Sequence, residues 1–399
     1  MNNKGLFREK YDCCGCEACA LSCPKHIISM QPDEEGFLYP LITEEDKCIN
    51  CGRCIAVCPV KKPGRKYQTI QEGFGGYVLN QNELKLSASG GFATAISKRF
   101  IQKGGIVYGV RYSGDYMETI FSRASCEEEL ELFRTSKYSQ ARKGNVFSNV
   151  LSDLKTGLNV LFIGLPCEIS ALYHYVGNHI ENLYTVALIC HGPTSPKVHR
   201  DFCETLERKN SSSLSSFSLR YKLKGWKPYY IKAEFKNGKL YQKQFDKTTY
   251  GIAFQYLKRP SCHMCKYKSR NTAYGLVADL TIGDFHSAGP RTPYYNAWGV
   301  SQLSVQSPKG EILASSISET CFLKNIPSET LLNNNIAFHQ SIPAKKGRRS
   351  FVEAYITHSI EFACHLPQVY FPYKKRLAEK SLKKLRHKIA QYVRFFKRG

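Results

Sequence analysis

The chain has 399 residues, with 57 Lys or Arg against 33 Asp or Glu and a formal charge of +24. That length can hold about two or three domains and a sizeable core. No run of 18 apolar residues occurs, which excludes a helical membrane span. The 17 cysteines follow a polar start, MNNKGLFREK, with no signal-peptide pattern. The expectation is a cytoplasmic protein whose cysteines are ligands rather than bridges. A basic surface suits acidic partners, anionic cofactors, membrane headgroups or nucleic acid. Lys and Arg are spread through the chain and no recognised nucleic-acid motif appears, so nucleic acid is not the expected partner.

The first ordered pattern is Cys13-x-x-Cys16-x-x-Cys19-x-x-x-Cys23-Pro24, repeated as Cys48-x-x-Cys51-x-x-Cys54-x-x-x-Cys58-Pro59. Two-residue spacers fold three thiolates around one cubane, and the fourth cysteine, turned away at its proline, reaches the other. This is the cysteine pattern of a bacterial two-cluster ferredoxin. Cys13, Cys16, Cys19 and Cys58 are expected to hold one [4Fe–4S] cluster, and Cys48, Cys51, Cys54 and Cys23 the second. A zinc site would favour two pairs of ligands over two runs of four. Each oxidised cluster with its thiolates carries about −2, so two or three would still leave roughly +20 or +18.

Between the runs, Ile27, Ile28 and Met30, and then Phe37-Leu38-Tyr39, predict two short strands around the turn at Asp33-Glu34-Glu35-Gly36. Residues 61–66 read as a polar linker. Further on, residues 75–79 predict a strand. Ser87-Ala88-Ser89-Gly90-Gly91 precedes a helix marked by Phe92, Ala95, Ile96 and Phe100. Residues 106–110 predict a strand, 150–154 lie in a helix, and 159–163 form a buried strand. Gly164-Leu165-Pro166-Cys167 then turns into a helix through Ala171 and Tyr175. Residues 184–189 predict another strand, with Cys190-His191-Gly192-Pro193 at its carboxyl end. Alternating strands and helices imply an α/β layer.

Residues 209–218 are Ser-rich and read as a surface loop. Residues 230–235 and 240–245 flank Asn237-Gly238 and predict a hairpin. Residues 276–282 are strand-like, and residues 300–305 and 311–314 flank a Pro-Lys-Gly turn. Residues 374–399 hold eleven Lys or Arg and one Glu, with Leu377, Leu382, Leu385, Ile389, Val393 and Phe396 at spacings near three and four. This basic amphipathic helix suits a membrane surface or an acidic partner; the alternative is a terminal helix packed on its own domain.

Four further cysteines lie where ligands gather at strand ends: Cys167, Cys190, and the pair Cys262-His263-Met264-Cys265. They could converge as a third cluster or an all-cysteine zinc site, or be a redox pair or core cysteines. Cys14, Cys126, Cys203, Cys321 and Cys364 lack partner spacing and read as core fillers, with Cys14 a neighbour of the first cluster. Ser89-Gly90-Gly91 opening a helix could cradle a phosphate, though capping explains it as well. Ser136-Lys137-Tyr138 offers a hydroxyl, a cation and an aromatic face.

Taken together, Ser87-x-Ser89-Gly90-Gly91, Ser136-Lys137-Tyr138, Gly164-x-Pro166-Cys167, Cys190-His191-Gly192, Cys262-x-x-Cys265 and Gly283-Asp284-Phe285 resemble the coenzyme F420 hydrogenase/dehydrogenase beta-subunit family over residues 70–330. The resemblance implies a flavoprotein that passes electrons between clusters and a two-electron carrier, coenzyme F420 or another small molecule. On this resemblance Ser89, Gly90, Gly91, Ser136, Lys137 and Tyr138 would contact FAD, and Cys167, Cys190, Cys262 and Cys265 would hold a third cluster. His191, His286 and Asp284 are candidate proton donors by side-chain type alone. His286-Ser287-Ala288 departs from the family pattern, where an aromatic is expected.

The expected fold is α/β (α+β overall). A two-cluster module at 1–62 precedes an α/β flavin-binding body in two parts, 70–155 and 156–335, and a basic helical tail at 336–399. The expected activity is that of an FAD and iron–sulfur oxidoreductase with a redox partner, either ferredoxin or a catalytic oxidoreductase. The expected location is cytoplasmic, including the inner face of the membrane. The alternative is an electron-relay subunit without its own substrate.

Overall fold

The computed structural model describes residues 5–177 and 179–396. Its strands are β1 (Ile28–Pro32), β2 (Leu38–Ile42), β3 (Glu72–Val78), β4 (Ile106–Tyr112), β5 (Thr119–Ala124), β6 (Val160–Gly164), β7 (Leu183–Leu188), β8 (Leu214–Tyr221), β9 (Tyr230–Phe235), β10 (Leu240–Gln244), β11 (Leu280–Asp284), β12 (Ser301–Val305) and β13 (Cys321–Asn325). The small N-terminal module carries the β1–β2 hairpin and two four-residue helices, Ala18–Leu21 and Arg53–Ala56. The hairpin closes where Asp33 accepts the Phe37 N–H at 2.9 Å and Gly36 takes φ of 81°, a value that glycine adopts without strain.

The body is built on an eight-stranded mixed sheet in the order β13-β3-β12-β11-β7-β6-β4-β5. Its four central strands, β11, β7, β6 and β4, are parallel, and the flanking pairs are antiparallel. Strands covered on both faces must be apolar throughout, and Val160, Leu161 and Phe162 of β6 are all fully buried. Their alternation splits them between two cores. Val160 and Phe162 pack with the helices Val146–Lys155 and Pro166–Val176. Leu161 packs on the other face with Phe92 and Ile96 of the helix Phe92–Gln102.

A third core joins β8, β9 and β10 to the helices Pro196–Asn210, Thr249–Tyr256, Arg348–Thr357 and Ile360–His365. Here the Ser-rich stretch departs from expectation. Only 211–213 is loop, because Leu214, Phe217 and Leu219, with a bulge between Leu214 and Ser216, face inward and draw residues from 214 onward into β8. Pro308-Lys309-Gly310 is likewise no turn. Pro308 stands in the first turn of the helix Pro308–Ser315, whose Ser307 cap accepts the Gly310 N–H. The expected strand at 276–282 is shifted to β11.

The C-terminal helix runs Pro367–Phe396. Its first turns bury Val369 and Tyr373 against the third core, whereas Leu382, Leu385 and Ile389 are exposed. Residues 397–399 of the expected basic tail lie outside the described residues. No described helix is long and apolar enough to cross a membrane.

Candidate functional site

In the N-terminal module the two cysteine runs build the same local shape twice. After Cys16 and after Cys51 the chain passes through a left-handed residue, Glu17 at φ 63° and Gly52 at φ 69°, into a short helix carrying the third cysteine. Glycine does this freely; glutamate needs a reason. Buried Glu17 accepts the Lys143 N–H at 3.1 Å and pairs with Arg142 at 3.5 Å, so it fastens the first run to the body. The thiols neighbour one another across the runs. Cys19 is pushed well up by burial, then by the adjacent Cys13 and Cys58. Cys54 is raised by burial and has Cys51 and Cys23 beside it. Cys48 contacts Asn50 Oδ1 at 3.6 Å.

The body's cysteines come from distant segments. Cys167 enters the first turn of the helix after β6, and Cys190 lies two residues beyond β7. Cys262 belongs to the helical turn Pro260–His263, and Cys265 follows it. All four line one cavity at the carboxyl ends of the parallel strands. Gly192, at φ 92°, lets this packing close: a Cβ there would lie 2.8 Å from Cys262 Cβ. The Gly192 N–H donates to Cys190 Sγ at 3.2 Å.

Cys14, expected as a mere neighbour of the first cluster, lines the same cavity, close to Cys16 and Cys167. The doubled Cys13-Cys14 was the only signal for it. Among the described residues, no three Cys, His, Asp or Glu side chains already close on an ion-sized point. The donor set is nonetheless a soft one, suited to iron–sulfur or zinc. The nearby carboxylate of Glu168 is spent on buried Lys143 at 2.6 Å. Burial opposes charge on Lys143, but Glu168 holds its pKa above the usual value. Buried Lys268 is anchored by the Cys190 and Ala337 carbonyls and adds a cation beside the thiols.

The residues expected at the flavin lie along the same rim of the sheet but are largely engaged. Ser89 Oγ donates to Val300 O at 2.8 Å, and the Gly90 N–H donates to Ser301 Oγ at 2.8 Å. Gly90 is glycine for packing, since a Cβ would lie 2.4 Å from Gly76 O. Gly91 is the left-handed residue that opens the helix Phe92–Gln102. Lys222 closes this loop from behind, donating to Leu84 O and Ser89 O at 2.6 and 2.7 Å; burial pushes its pKa down to about 7. Lys137 donates to Leu132 O and Arg134 O, and burial brings it to about 7 as well. Ser136 is part-exposed. Tyr138 packs on Phe254 and Phe245, with ring centroids 4.9 and 5.3 Å away.

Next to Tyr138, Arg220 donates to Asp284 Oδ2 at 2.5 Å and lies 5.1 Å from the Tyr229 ring centroid. Burial would raise the Asp284 pKa, but Arg220 holds it below the usual range. Asp284 is therefore a charge partner rather than a proton donor. His191 is pushed down to about 4 by burial and then by Lys258, which keeps the imidazole neutral. His286 is exposed, 3.5 Å from Lys227 Nζ. Sequence reasoning missed Arg220, Lys222 and Lys227, the basic residues of this rim; they come from β8 and the segment after it, a region without a motif.

The fold and the paired cysteine runs define an iron–sulfur protein with a ferredoxin-like module on an α/β body. Residues 12–62 and 40–85 match two family models, each described as a 4Fe-4S dicluster domain. Residues 157–329 match the family described as the C terminus of the coenzyme F420 hydrogenase/dehydrogenase beta subunit. It is the family that the sequence motifs resemble. No curated protein matches the chain. Among solved structures, a chain from the xenon-derivatized F420-reducing [NiFe] hydrogenase complex of Methanosarcina barkeri is 17% identical. The match covers 75% of this chain and 90% of that one at a TM-score of 0.45, too loose a superposition to bear on function.

Proposed function

We propose that this chain is an iron–sulfur flavoprotein oxidoreductase that moves electrons between clusters and a two-electron carrier. Cys13, Cys16, Cys19 and Cys58 would hold one [4Fe–4S] cluster, Cys48, Cys51, Cys54 and Cys23 another, and Cys167, Cys190, Cys262 and Cys265 a third. FAD would bind along the rim formed by Ser89, Gly90, Gly91, Ser136, Lys137 and Tyr138, with Lys227 answering its phosphates and the Arg220–Asp284 pair beside them. Bound there, it would supply the exchange between one-electron and two-electron chemistry. The residues of the rim would orient the ring and neutralise anionic groups, and neutral His191 would stand where a proton can be held. Coenzyme F420 or another small molecule is the proposed carrier. The proposed divisions are the module at 1–62, the body in two parts at 70–155 and 156–335, and the segment 336–399, whose helices Arg348–Thr357 and Ile360–His365 pack into the third core.

The observation that carries this reading is the shared cavity. Thiols of the body line the same cavity as Cys14 of the N-terminal module, so sulfur from both regions faces one space beside the polar contacts that hold them together. Anaerobic purification followed by absorbance and stepwise dithionite reduction tests it. Flavin bleaching together with cluster bleaching, and turnover of a low-molecular-weight acceptor without added protein, are the expected results. Clusters without flavin would favour the second reading, an electron-relay subunit that docks to a partner oxidoreductase. One observation favours that alternative: the Ser89 hydroxyl and the Gly90 N–H, expected to face a phosphate, are already spent inside the protein.

The C-terminal helix supports a third element, contact with an anionic membrane surface. Leu382, Leu385 and Ile389 are exposed at helical spacing on the basic segment, and Phe371 is exposed at its base.

A further inference from the structure

The N-terminal module is held to the body by a buried arginine, and that arginine faces sulfur. Arg259 is 1% exposed. Its Nε donates to Cys13 O at 2.7 Å. One terminal nitrogen donates to Gln140 Oε1 at 2.9 Å, and the other to Leu38 O at 3.0 Å and to Cys13 Sγ at 3.5 Å. The guanidinium lies 4.2 Å from the Tyr39 ring centroid and 5.6 Å from that of Phe37. Gln140 is itself fixed by donating to Cys14 O and Gly15 O at 3.1 and 2.9 Å. Gly15 leaves room for the pair: a Cβ there would lie 2.7 Å from Arg259 Nη1.

A buried guanidinium is costly unless an anion meets it. Among the described residues Arg259 forms no ion pair with a carboxylate. The groups that interact with its charge are Cys13, Tyr39, Cys14 and Cys262. The main chain of Arg259 also accepts the Cys262 N–H at 2.9 Å. One residue therefore touches a cysteine of the first N-terminal run and a cysteine of the body.

We propose that Arg259 is a positioning residue that sets the reduction potential of the cluster held by Cys13, Cys16, Cys19 and Cys58. This rests on the cluster assignment proposed above. Reduction adds one electron to the cluster and takes the charge of the cluster with its thiolates from about −2 to about −3. No bond or proton changes hands, and the electron comes from an external reductant such as dithionite. A buried cation and an N–H···S contact stabilise the more negative form, which raises the potential. The cluster of Cys23, Cys48, Cys51 and Cys54 lacks this partner and serves as the internal reference.

The test is a redox titration followed by low-temperature paramagnetic resonance on wild-type, Arg259→Gln, Arg259→Lys and Gln140→Leu proteins, each assayed for iron and sulfide. With iron content unchanged, Arg259→Gln is expected to make one N-terminal cluster at least tenfold harder to reduce, about 59 mV for one electron, leaving the other in place. Arg259→Lys, which keeps the charge but not the fork, is expected to give a smaller shift in the same direction. Gln140→Leu, which frees the guanidinium without deleting it, should do likewise. Unmoved potentials in fully loaded Arg259→Gln protein would overturn the proposal and leave the cluster assignment standing. If that variant fails to fold, an unmoved potential in Gln140→Leu overturns it instead. Wild-type protein without iron or sulfide would overturn both.

Discussion

The N-terminal module and the carboxyl-end cavity of the body both gather cysteines, but by different means. In the module, nine cysteines fall within residues 13–58, eight of them in the two runs, and the spacing of those runs sets which thiols can meet. In the body, Cys167, Cys190 and Cys262 are brought together only because β6, β7 and the turn Pro260–His263 end at one rim. A ligand set written in local spacing survives in the sequence as a motif. A set written in topology shows only as cysteines at expected strand ends and one Cys-x-x-Cys pair, and its convergence waits on the placing of the strands.

The largest test of this contrast is loss of metal. Cys16→Ser should remove about four iron atoms and one paramagnetic signal, because it takes one of the four thiolates from a local set. Cys262→Ser should spare both N-terminal clusters and remove only iron bound in the body. Loss of all iron from Cys262→Ser would mean that the two sets are not separate.

A smaller effect is expected from the buried pair that supports the cavity. Lys143 and Glu168 are both nearly inaccessible, so removing one partner strands a charge. Glu168→Gln should cost about 3–5 kcal/mol in chemical denaturation, without changing the spectra of the N-terminal clusters. A cost below about 1 kcal/mol, the range of exposed pairs, would show that water reaches the pair.

pH separates the body's own stability from that of the module. His199 is fully buried, its Nε2–H donates to Tyr116 O at 2.9 Å, and burial pushes its pKa down to about 4. The unfolded histidine takes a proton near pH 6.5 while the folded one resists. Its contribution is therefore complete above pH 6.5 and is lost as pH falls toward 4, on the order of 3 kcal/mol in all. His199→Gln should flatten that part of the urea-midpoint profile between pH 7.5 and 5. An unchanged slope would place the acid sensitivity elsewhere.

The smallest effect on the fold should come from the tail. Ending the chain before Leu382 removes apolar side chains that pack on nothing described, so thermal stability should barely move. Sedimentation with phosphatidylglycerol vesicles should fall sharply, and phosphatidylcholine vesicles should bind neither form. Equal sedimentation of both forms would remove the membrane reading.

Much of this molecule was readable before its strands were placed. The two cysteine runs, β1, β2, β6, β7 and the β9–β10 hairpin follow from spacing, alternation and the Asn237-Gly238 turn. Ser215, Ser216 and Ser218 hid β8, because hydroxyls on an outward face resemble a loop when the inward Leu214, Phe217 and Leu219 are read singly. Pro308 hid a helix start by resembling a turn. Cys14 and Arg259 could not be assigned from spacing at all. Their partners, Cys167 and Cys13, are 153 and 246 positions away along the chain. The Ser-Gly-Gly loop was located correctly, but its donors were expected to be free, and only the three-dimensional pairing with Val300 and Ser301 shows them spent.

The central claim is that the cysteines of both regions bind iron–sulfur clusters. Iron and acid-labile sulfide, counted per chain on anaerobically prepared protein alongside the dithionite-reduced paramagnetic spectrum, test it most directly. The account predicts about twelve iron and twelve sulfide for three cubanes, with interacting signals from the two N-terminal clusters. Stoichiometric zinc, no sulfide and a silent spectrum would contradict it.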